Sequence, residues 1–536
     1  MSPARPLGER GGASRAVSLQ DAATMPTELD EHPPAVPDEL PRRAACSVRP
    51  PVGRRSPLAM RVLHIGWGYK PWWSDGGLIA YTEAILAGQV QRGHEVHYLF
   101  GGRELPLLRQ PRLHRWTRGG VRMLEVLNAG APAAAGRGIR EPALELDDAD
   151  TERLVAGQLE RVRPDIVHVQ TFEGLPSSVI DVIGAMALPS VMTLEDYHPL
   201  CPTVKLWDHT KQVCRRLQPG ATCVTCCAEG MSGTELQRWM TRKMTITTVR
   251  ERIPHPLAPR LVDGIWRRLP PAPTGPVPVA PAAEYDRRRT VNVRRLSQLD
   301  ALIAMSPGVA EVYSARGVPA DRIRVQRLTL PHIEQLPARR RVVERPPVRF
   351  ATLNGAASTA KGADVLLEAV RRLGTAGLGD RYRLGVHGGV ADHVEAALGQ
   401  DASVEIWGPY LSQDLERLLV DAHIGIVPSV WEEAYGYVGA EFIASGMPVI
   451  SNARGGLPFH TLPGKTGWLN ASANGAGLAA IMAEIIRRPE EVQRMSDLVL
   501  AHRDEIVIPF ATHLDELDAT YAELVEGCRA GSRAHR

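Results

Sequence analysis

Short apolar runs alternate with helical segments along most of the chain. The first series opens with the run RVLHIGW (61–67), continues through a segment of helical periodicity (78–93) that ends at a glycine, and returns to an apolar run (94–100). A strand, a helix and a second strand in this order predict a βαβ unit with parallel strands. Further apolar runs of strand length follow at 164–170, 188–194 and 299–306.

A charged, proline-bearing segment, LPARRRVVERPP (336–347), separates this series from a second one and is typical of a linker. The pattern predicts two doubly wound, Rossmann-like α/β domains that face each other across a cleft, with ligands at the carboxyl ends of the strands. We assign residues 60–335 to the first domain and 348–500 to the second. A terminal helix (501–525) could close the second domain or cross back to the first.

The termini and composition set further expectations. Residues 1–59 are rich in Pro, Ala, Arg and Glu, have no period and predict a disordered leader. No run approaches the roughly 20 apolar residues of a membrane span, and the first residues lack the apolar core of a signal peptide, so we expect a cytoplasmic protein. A net charge of +3 on 536 residues does not favour a nucleic-acid partner.

Two local clusters leave alternatives open. The basic run RRRTVNVRR (287–295) either contacts anionic lipid headgroups at the inner face of a membrane or a polyanionic acceptor, or forms a solvated helix face. Five of the seven cysteines lie within 201–227. Four of them have a spacing that can close a tetrahedral structural zinc site, and the alternative is a set of reduced thiols in an ordered lid: Cys201, Cys214, Cys223 and Cys226.

Two glutamates, Glu433 and Glu441, lie on either side of a Tyr435-Gly436-Tyr437 turn. Eight helical residues advance about 12 Å, whereas the carboxyl groups of a glycosidase stand roughly 5–10 Å apart, so each acid is expected to bind a different part of one long ligand. Carboxylates suit the hydroxyls of a sugar or ribose, and the free N–H groups of a helix start suit a phosphate. A sugar nucleotide presents hydroxyls, phosphate and hydroxyls in this order, which matches the order of the predicted binding groups. A solvated helix face is the simpler alternative.

This stretch, with the strand before it and ASGMPVISNARGG after it, resembles the donor-site motif of the family 4 retaining glycosyltransferases, which have the GT-B fold. The resemblance covers most of residues 60–525. It implies that Glu441 binds the nucleotide ribose, Glu433 contacts the donor sugar and Lys361 contacts the diphosphate. The predicted donor-binding residues are Gly76, Gly77, Lys361, Tyr435, Gly436, Tyr437 and Glu441. The predicted catalytic residues are Glu433, Glu195 and Lys361.

The resemblance implies transfer of a hexose-type sugar, with retention, from a UDP- or GDP-sugar to a glycan, lipid-linked or small-molecule acceptor held by the first domain, without a required metal. Similar cysteine-rich segments occur in a subset of the family. Two positions depart from its pattern: Gly355-Ala356 stands where Gly-Arg is frequent, and Glu195 where a histidine is frequent. Another GT-B activity, such as a sugar-nucleotide epimerase, and a catalytically silent carbohydrate-binding homologue therefore stay open.

Overall fold

The computed structural model describes residues 59–68, 76–104, 110–131, 136, 138–250 and 277–534, without the side chains of 243–250 and 531–534. The chain divides into two compact units, Met1–Asp38 and Glu39–Arg536. None of the first unit is described, so the predicted leader lies outside the described residues except for Ala59. All that follows concerns the second unit.

In the part of the chain that the structure describes, the N-terminal lobe is built on an eight-stranded sheet. Its strands are β1 (Arg61–Trp67), β2 (Glu95–Gly101), β3 (Arg112–Arg118), β4 (Val121–Leu127), β5 (Ile166–Val169), β6 (Ser190–Leu194), β7 (Ala301–Ala304) and β8 (Ile323–Val325). They lie in the order β3-β4-β2-β1-β5-β6-β7-β8, and all pairs are parallel except the β3–β4 hairpin. The predicted strands are present, whereas β3, β4 and β8 were not anticipated, because their alternating or short patterns resemble loops.

The C-terminal lobe has a six-stranded, all-parallel sheet in the described residues. Its strands are β9 (Val348–Leu353), β10 (Tyr382–His387), β11 (Val404–Gly408), β12 (Ile424–Val427), β13 (Val449–Asn452) and β14 (Gly467–Asn470). The order is β11-β10-β9-β12-β13-β14. Chain order reverses between β9 and β12, and the loops after these two strands therefore meet at one edge of the sheet, the usual position of a ligand site.

Fifteen helices accompany the sheets in the described part of the chain. In the N-terminal lobe they are α1 (Gly77–Gln91), α2 (Ala149–Val162), α3 (Val179–Ala185), α4 (Gly220–Cys226), α5 (Gly233–Arg250), α6 (Ala282–Leu296), α7 (Pro307–Ser314) and α8 (Pro331–Glu334). The others are α9 (Ala363–Thr375), α10 (Asp392–Leu398), α11 (Leu415–Leu419), α12 (Tyr437–Ala444), α13 (Gly475–Arg487), α14 (Glu490–Ile506) and α15 (Phe510–Ala534). None of the described helices is long and apolar enough to span a bilayer.

The last helix, α15, crosses back and packs on the N-terminal lobe through buried polar contacts. The hydroxyl of Tyr521 lies 2.5 Å from Nδ1 of His168 in β5 and accepts a 3.1 Å hydrogen bond from Nε2 of Gln89 in α1. Nearer the start of α15, Nε2 of His513 lies 2.8 Å from the Tyr81 hydroxyl. Burial lowers the pKa of His513 to about 4, so this contact is made by a neutral imidazole at physiological pH.

The segment between the lobes is anchored to the C-terminal lobe. The guanidinium of Arg341 is buried and donates hydrogen bonds to the carbonyls of Leu419, Ala422 and Ser445, at 2.7, 3.1 and 2.9 Å. In a flexible tether, a charged side chain would not stay bound to three carbonyls of one lobe. The predicted linker is therefore ordered over this stretch.

The basic run 287–295 corrects one expectation. It lies in α6, and Arg288, Arg289 and Arg295 are only 1, 5 and 3% exposed. Arg288 binds Glu145 at 2.5 Å and Arg295 binds Asp181 at 2.8 Å. These three arginines are internal structural cations, so a lipid-binding or solvated face composed of the whole run is wrong. Sequence alone could not show this, because the acidic partners are more than 100 residues away.

The contacts of α15 predict a difference between two substitutions on one helix. Tyr521→Phe leaves His168 and Gln89 with unsatisfied buried groups and should reduce the free energy of unfolding by about 1–3 kcal/mol. Glu523→Gln removes an exposed ion pair with Arg324, which should cost less than about 1 kcal/mol. Chemical denaturation of the full chain measures both. Equal effects would show that the buried bonds do not anchor the helix.

Candidate donor site at the β9 and β12 loops

An ion pair joins the loops that follow β9 and β12. Nζ of Lys361 lies 2.6 Å from Oε1 of Glu433, and that oxygen also accepts a 2.8 Å hydrogen bond from the Ser429 hydroxyl. The Lys361 ammonium also lies over the ring of Trp431, 5.1 Å from its centroid. Burial alone would raise the pKa of Glu433, but Lys361 and the hydrogen bonds lower it below its ordinary value. Glu433 is therefore an ionised, buried carboxylate.

The turn between the two glutamates leads into α12, at the helix start that the sequence predicted. Gly436 precedes the first residue of α12 and has φ +78°, a backbone conformation in which residues with a side chain are strained. The ring of Tyr435 packs edge-on against Tyr437 and against His460, with centroids 5.2 and 5.8 Å apart. The N–H groups at the start of α12 follow Glu433 by four residues in the chain, and the N–H groups of a helix start can bind anions.

Glu441, in the middle of α12, has one engaged oxygen and one free oxygen. Oε1 lies 2.8 Å from Nε2 of His332, in α8 of the N-terminal lobe. Oε2 is buried and has no hydrogen-bond partner among the described residues. A buried carboxylate oxygen without a donor is costly, and a ligand hydroxyl would satisfy it. Glu433 and Glu441 belong to separate contact sets, and their binding to different groups of one ligand stays a prediction.

Glu195 follows β6 and lies where the lobes meet. The residue is partly exposed, but both carboxyl oxygens are buried and lack a partner in the part of the chain that the structure describes. Burial, and next the charge of Asp196, raises the pKa of Glu195 well above its ordinary value. Its nearby groups include the hydroxyls of Tyr81 and Tyr437. A protonated carboxyl can donate a hydrogen bond as well as accept one.

The Gly76-Gly77 pair begins α1 and contacts the opposite lobe. Gly76 is the N-cap residue, and a Cβ on Gly77 would lie only 3.1 Å from the Tyr437 ring. The hydroxyl of Tyr437 is buried without a partner in the described residues. Glycine at 77 is thus explained by the close approach of an aromatic ring from α12. The role of the two amides in binding a diphosphate stays a prediction.

The cysteine-rich insertion, residues 201–227, is compact. Cys201, Cys214 and Cys223 are buried, and Sγ of Cys226 lies 3.6 Å from Nδ1 of His209. Burial raises the pKa of the Cys226 thiol to about 11. No group of three or more His, Cys, Asp or Glu side chains within the described ranges could hold a metal ion. The zinc site stays a prediction.

Several residues of the site were missed by sequence reasoning. His332 holds Glu441, Ser429 holds Glu433, and Glu432 accepts a 2.8 Å hydrogen bond from the amide of Gly455. These partners lie up to 109 residues apart and carry no motif. The pairing of Glu432 with the loop after β13 could have been suspected only from the doubled acid at 432–433.

The chain is similar to proteins of known classes. Residues 350–488, all within the C-terminal lobe, match the model of the family described as glycosyl transferases group 1. Two solved structures align with 87% of this chain and 100% of their own: HepE of Anabaena in complex with UDP (TM-score 0.52, 12% identity) and sucrose-phosphate synthase of Thermosynechococcus elongatus (TM-score 0.54, 14% identity). The chain has the GT-B fold. At these identities the likeness concerns the fold alone.

Curated relatives match part of the chain. The putative colanic acid biosynthesis glycosyltransferase WcaL of Salmonella typhimurium is 27% identical over 197 residues, which are 35% of this chain and 48% of WcaL. The amylovoran biosynthesis glycosyltransferase AmsK of Erwinia amylovora is 25% identical over 241 residues (44% and 57%). A D-inositol 3-phosphate glycosyltransferase of Corynebacterium aurimucosum is 28% identical over 172 residues (30% and 40%). The chain spans about half the length of these relatives.

The ion pair predicts a pH-dependent stability difference. In the wild type the lowered pKa of Glu433 stabilises the fold above the unfolded value, about pH 4.3, and this contribution is lost as the pH falls. In Lys361→Met, burial raises the pKa of Glu433, so the variant loses stability as the pH rises above that value. We expect the gap in melting temperature between wild type and variant to widen from pH 4 to pH 7 in calorimetry.

The matched control is the double variant Lys361→Met/Glu433→Gln, which carries no charge at either position. The difference in melting temperature between this double variant and the wild type should change less with pH than the difference for the single variant, since no buried carboxylate has to ionise. A single-variant gap that stays constant with pH would contradict the charge assignment of Glu433.

Proposed function

We propose that the protein is a retaining glycosyltransferase that transfers a hexose-type sugar from a UDP- or GDP-sugar. The observation that carries the proposal is the free, buried oxygen of Glu441, in the helix that begins four residues after Glu433, the partner of Lys361. Together these groups offer a carboxylate oxygen that can accept a hydrogen bond from a ligand hydroxyl, a helix start that can bind an anion, and a cation. The match of residues 350–488 to the group 1 glycosyl transferases supports this reading.

Each group has a distinct part in the proposed site. Oε2 of Glu441 accepts a hydrogen bond from a ribose hydroxyl, while His332 holds Oε1 in place. The N–H groups that begin α12 and the Lys361 ammonium bind the diphosphate. Glu433, held rigid by Ser429, orients the donor sugar. These assignments require Lys361 to divide its contacts between Glu433 and the arriving phosphate.

The chemistry that follows needs positioning more than a protein base. As the bond from the sugar to the diphosphate breaks, negative charge grows on the leaving phosphate, where Lys361 and the helix start stabilise it. The leaving phosphate takes the proton of the acceptor hydroxyl, which attacks the same face of the sugar. This scheme uses fixed cations and backbone N–H groups and requires no bound divalent ion.

The acceptor is proposed to bind in the N-terminal lobe and to be a glycan, a lipid-linked sugar or a small molecule. The named roles of two relatives in colanic acid and amylovoran biosynthesis favour a polysaccharide precursor, and that of the third favours a small polyol phosphate. A sugar-nucleotide epimerase would instead convert donor without acceptor. A silent homologue would bind a sugar nucleotide and release nothing.

A donor screen on the purified full chain tests the proposal. Glu441→Ala should reduce transfer or hydrolysis of the accepted donor at least 100-fold, because the ribose contact is lost. Glu395→Ala, an exposed acid in α10 of the same lobe, should leave the rate unchanged. Nucleotide release is followed with UDP-glucose, UDP-N-acetylglucosamine and GDP-mannose in the presence of crude glycan and lipid acceptors. Binding without release from any donor would favour the silent homologue.

Glu195 gives a second test of the site. If its carboxyl is neutral when the donor binds, Glu195→Gln keeps the shape and a hydrogen-bond donor and should retain most of the activity, whereas Glu195→Ala should lose tenfold or more. Steady-state rates across pH 6–9 compare the two. If Glu195→Gln falls as low as Glu195→Ala, the ionised carboxylate is required. If both equal the wild type, Glu195 has no part in the reaction.

A further inference from the structure

A cleft of about 520 Å³ lies between the cysteine-rich insertion (201–227) and the C-terminal lobe. We call it the insertion cleft. Trp207, Lys211 and Arg215 line it from the insertion, and Asp364, Val430 and Arg454 line it from the C-terminal lobe. Its walls therefore combine an aromatic ring with several charged side chains, which is a composition typical of ligand sites.

The wall that the insertion forms has a fixed position. Trp207 and Val213 form an antiparallel bridge, so this part of the insertion is a small hairpin. From the N-terminal lobe, Nη1 of Arg289 in α6 donates a 2.6 Å hydrogen bond to the carbonyl of Arg216. Arg215 lies between the bridge and this bond in the chain. The residues that line the cleft from the insertion thus belong to a braced segment.

The opposite wall is joined to the candidate donor site by backbone hydrogen bonds. Arg454 precedes Gly455, whose amide donates a 2.8 Å hydrogen bond to Oε2 of Glu432. The next amide, that of Gly456, donates a 2.6 Å bond to the carbonyl of Glu433. Glu433 itself does not line the cleft. The insertion cleft therefore adjoins the candidate donor site without being part of it.

The insertion cleft carries an excess of positive charge. Three cations line it, Lys211, Arg215 and Arg454, together with one carboxylate, Asp364. A second carboxylate, Glu432, lies 3.9 Å from Arg215. With both carboxylates counted, the three cations still leave one positive charge. A cleft with such an excess attracts anions.

Both arginines of the cleft can bind a ligand. Nη1 of Arg454 donates a 3.1 Å hydrogen bond to the carbonyl of Ala453, whereas its Nε is buried and has no hydrogen-bond partner within the described part of the chain. A buried N–H group without an acceptor is costly, and an anionic oxygen would satisfy it. The side chain of Arg215 is 81% exposed, and its 3.9 Å contact with Glu432 is a weak ion pair with which a ligand can compete.

We propose that the insertion cleft binds an anionic acceptor, a sugar or polyol that carries a phosphate or a carboxylate group. Arg215 and Arg454 bind this group from opposite walls, and the indole of Trp207 offers a flat apolar surface to the ring of the acceptor. The insertion therefore selects the acceptor rather than the donor. The inference rests on the proposed function and deepens it, because it names the chemical class of the acceptor.

Binding of small anionic probes to the full chain tests the inference. UDP or GDP, whichever the chain binds, is present at saturation so that a phosphate probe cannot occupy the donor site. The probes are glucose 6-phosphate and glucuronate, with glucose as the neutral reference, and ligand-observed NMR titrations measure their affinities. At least one anionic probe should bind at least tenfold more tightly than glucose, because guanidinium groups bind phosphate and carboxylate through paired hydrogen bonds.

Substitutions on the two walls locate the binding site, and an arginine outside the cleft provides the control. Arg215→Gln and Arg454→Gln should each weaken binding of the anionic probe at least fivefold, and should leave the affinities for glucose and for the nucleotide within twofold of the wild type. Arg371→Gln removes an exposed arginine of α9, the helix whose first turn lines the cleft at Asp364. This control should change every affinity less than twofold.

The possible outcomes separate the inference from the proposed function. Tight binding of glucose 6-phosphate alone indicates a phosphate-bearing acceptor, tight binding of glucuronate alone indicates an acidic sugar, and both results support the inference. Anionic probes that bind no better than glucose, or that keep their affinity in both arginine variants, overturn it and leave the proposed function standing. An equal loss of nucleotide affinity also overturns it, because the arginines then act on the donor site or the fold. If the wild type binds neither UDP nor GDP, the proposed function fails, and the inference fails with it.

Discussion

Contacts from the N-terminal lobe fix the segment Glu432–Tyr437 of the C-terminal lobe, and the candidate site depends on these contacts. The Ser306 hydroxyl of the N-terminal lobe donates a 2.9 Å hydrogen bond to the carbonyl of Ala434, and the Tyr437 ring rests on Gly77. Because both lobes contact the turn, the ion pair before it and the helix after it have fixed positions. A change in the relative position of the lobes would therefore also change the shape of the site.

Much of this organisation is visible in the sequence, and the reason is local. The strands, the glycine turn and the helix start follow from patterns within about 20 residues, so the two α/β series and the Glu433–Glu441 stretch could be recognised in advance, whereas the roles of Lys361, Glu433 and Glu441 were implied by the family resemblance. Their actual partners could not be recognised. The Lys361–Glu433 bond joins residues 72 apart, and the His332–Glu441 bond joins the two lobes.

The largest error concerned charge. The arginines of 287–295 look like a surface run because a pattern of residues shows charge but not partners. In the folded chain three of them are buried against acids and carbonyls, and Arg289 braces the insertion. The polar groups between α15 and β5 are equally hidden from sequence, since His168 and Tyr521 are separated by 353 residues. Buried polar pairs of this kind become evident only when the topology is known.

The anchoring of Arg341 has a mechanical consequence for lobe movement. The polypeptide passes between the lobes at 336–347 and again where α14, bound to the C-terminal lobe through Ser496 and Arg503, gives way to α15. Since Arg341 fixes the middle of the first passage to the C-terminal lobe, the pivot there is confined to the few residues before it. Two short crossings, one of them fixed at Arg341, restrict relative rotation of the lobes to directions about the line that joins the crossings, and a substitution that frees Arg341 would lift part of that restriction.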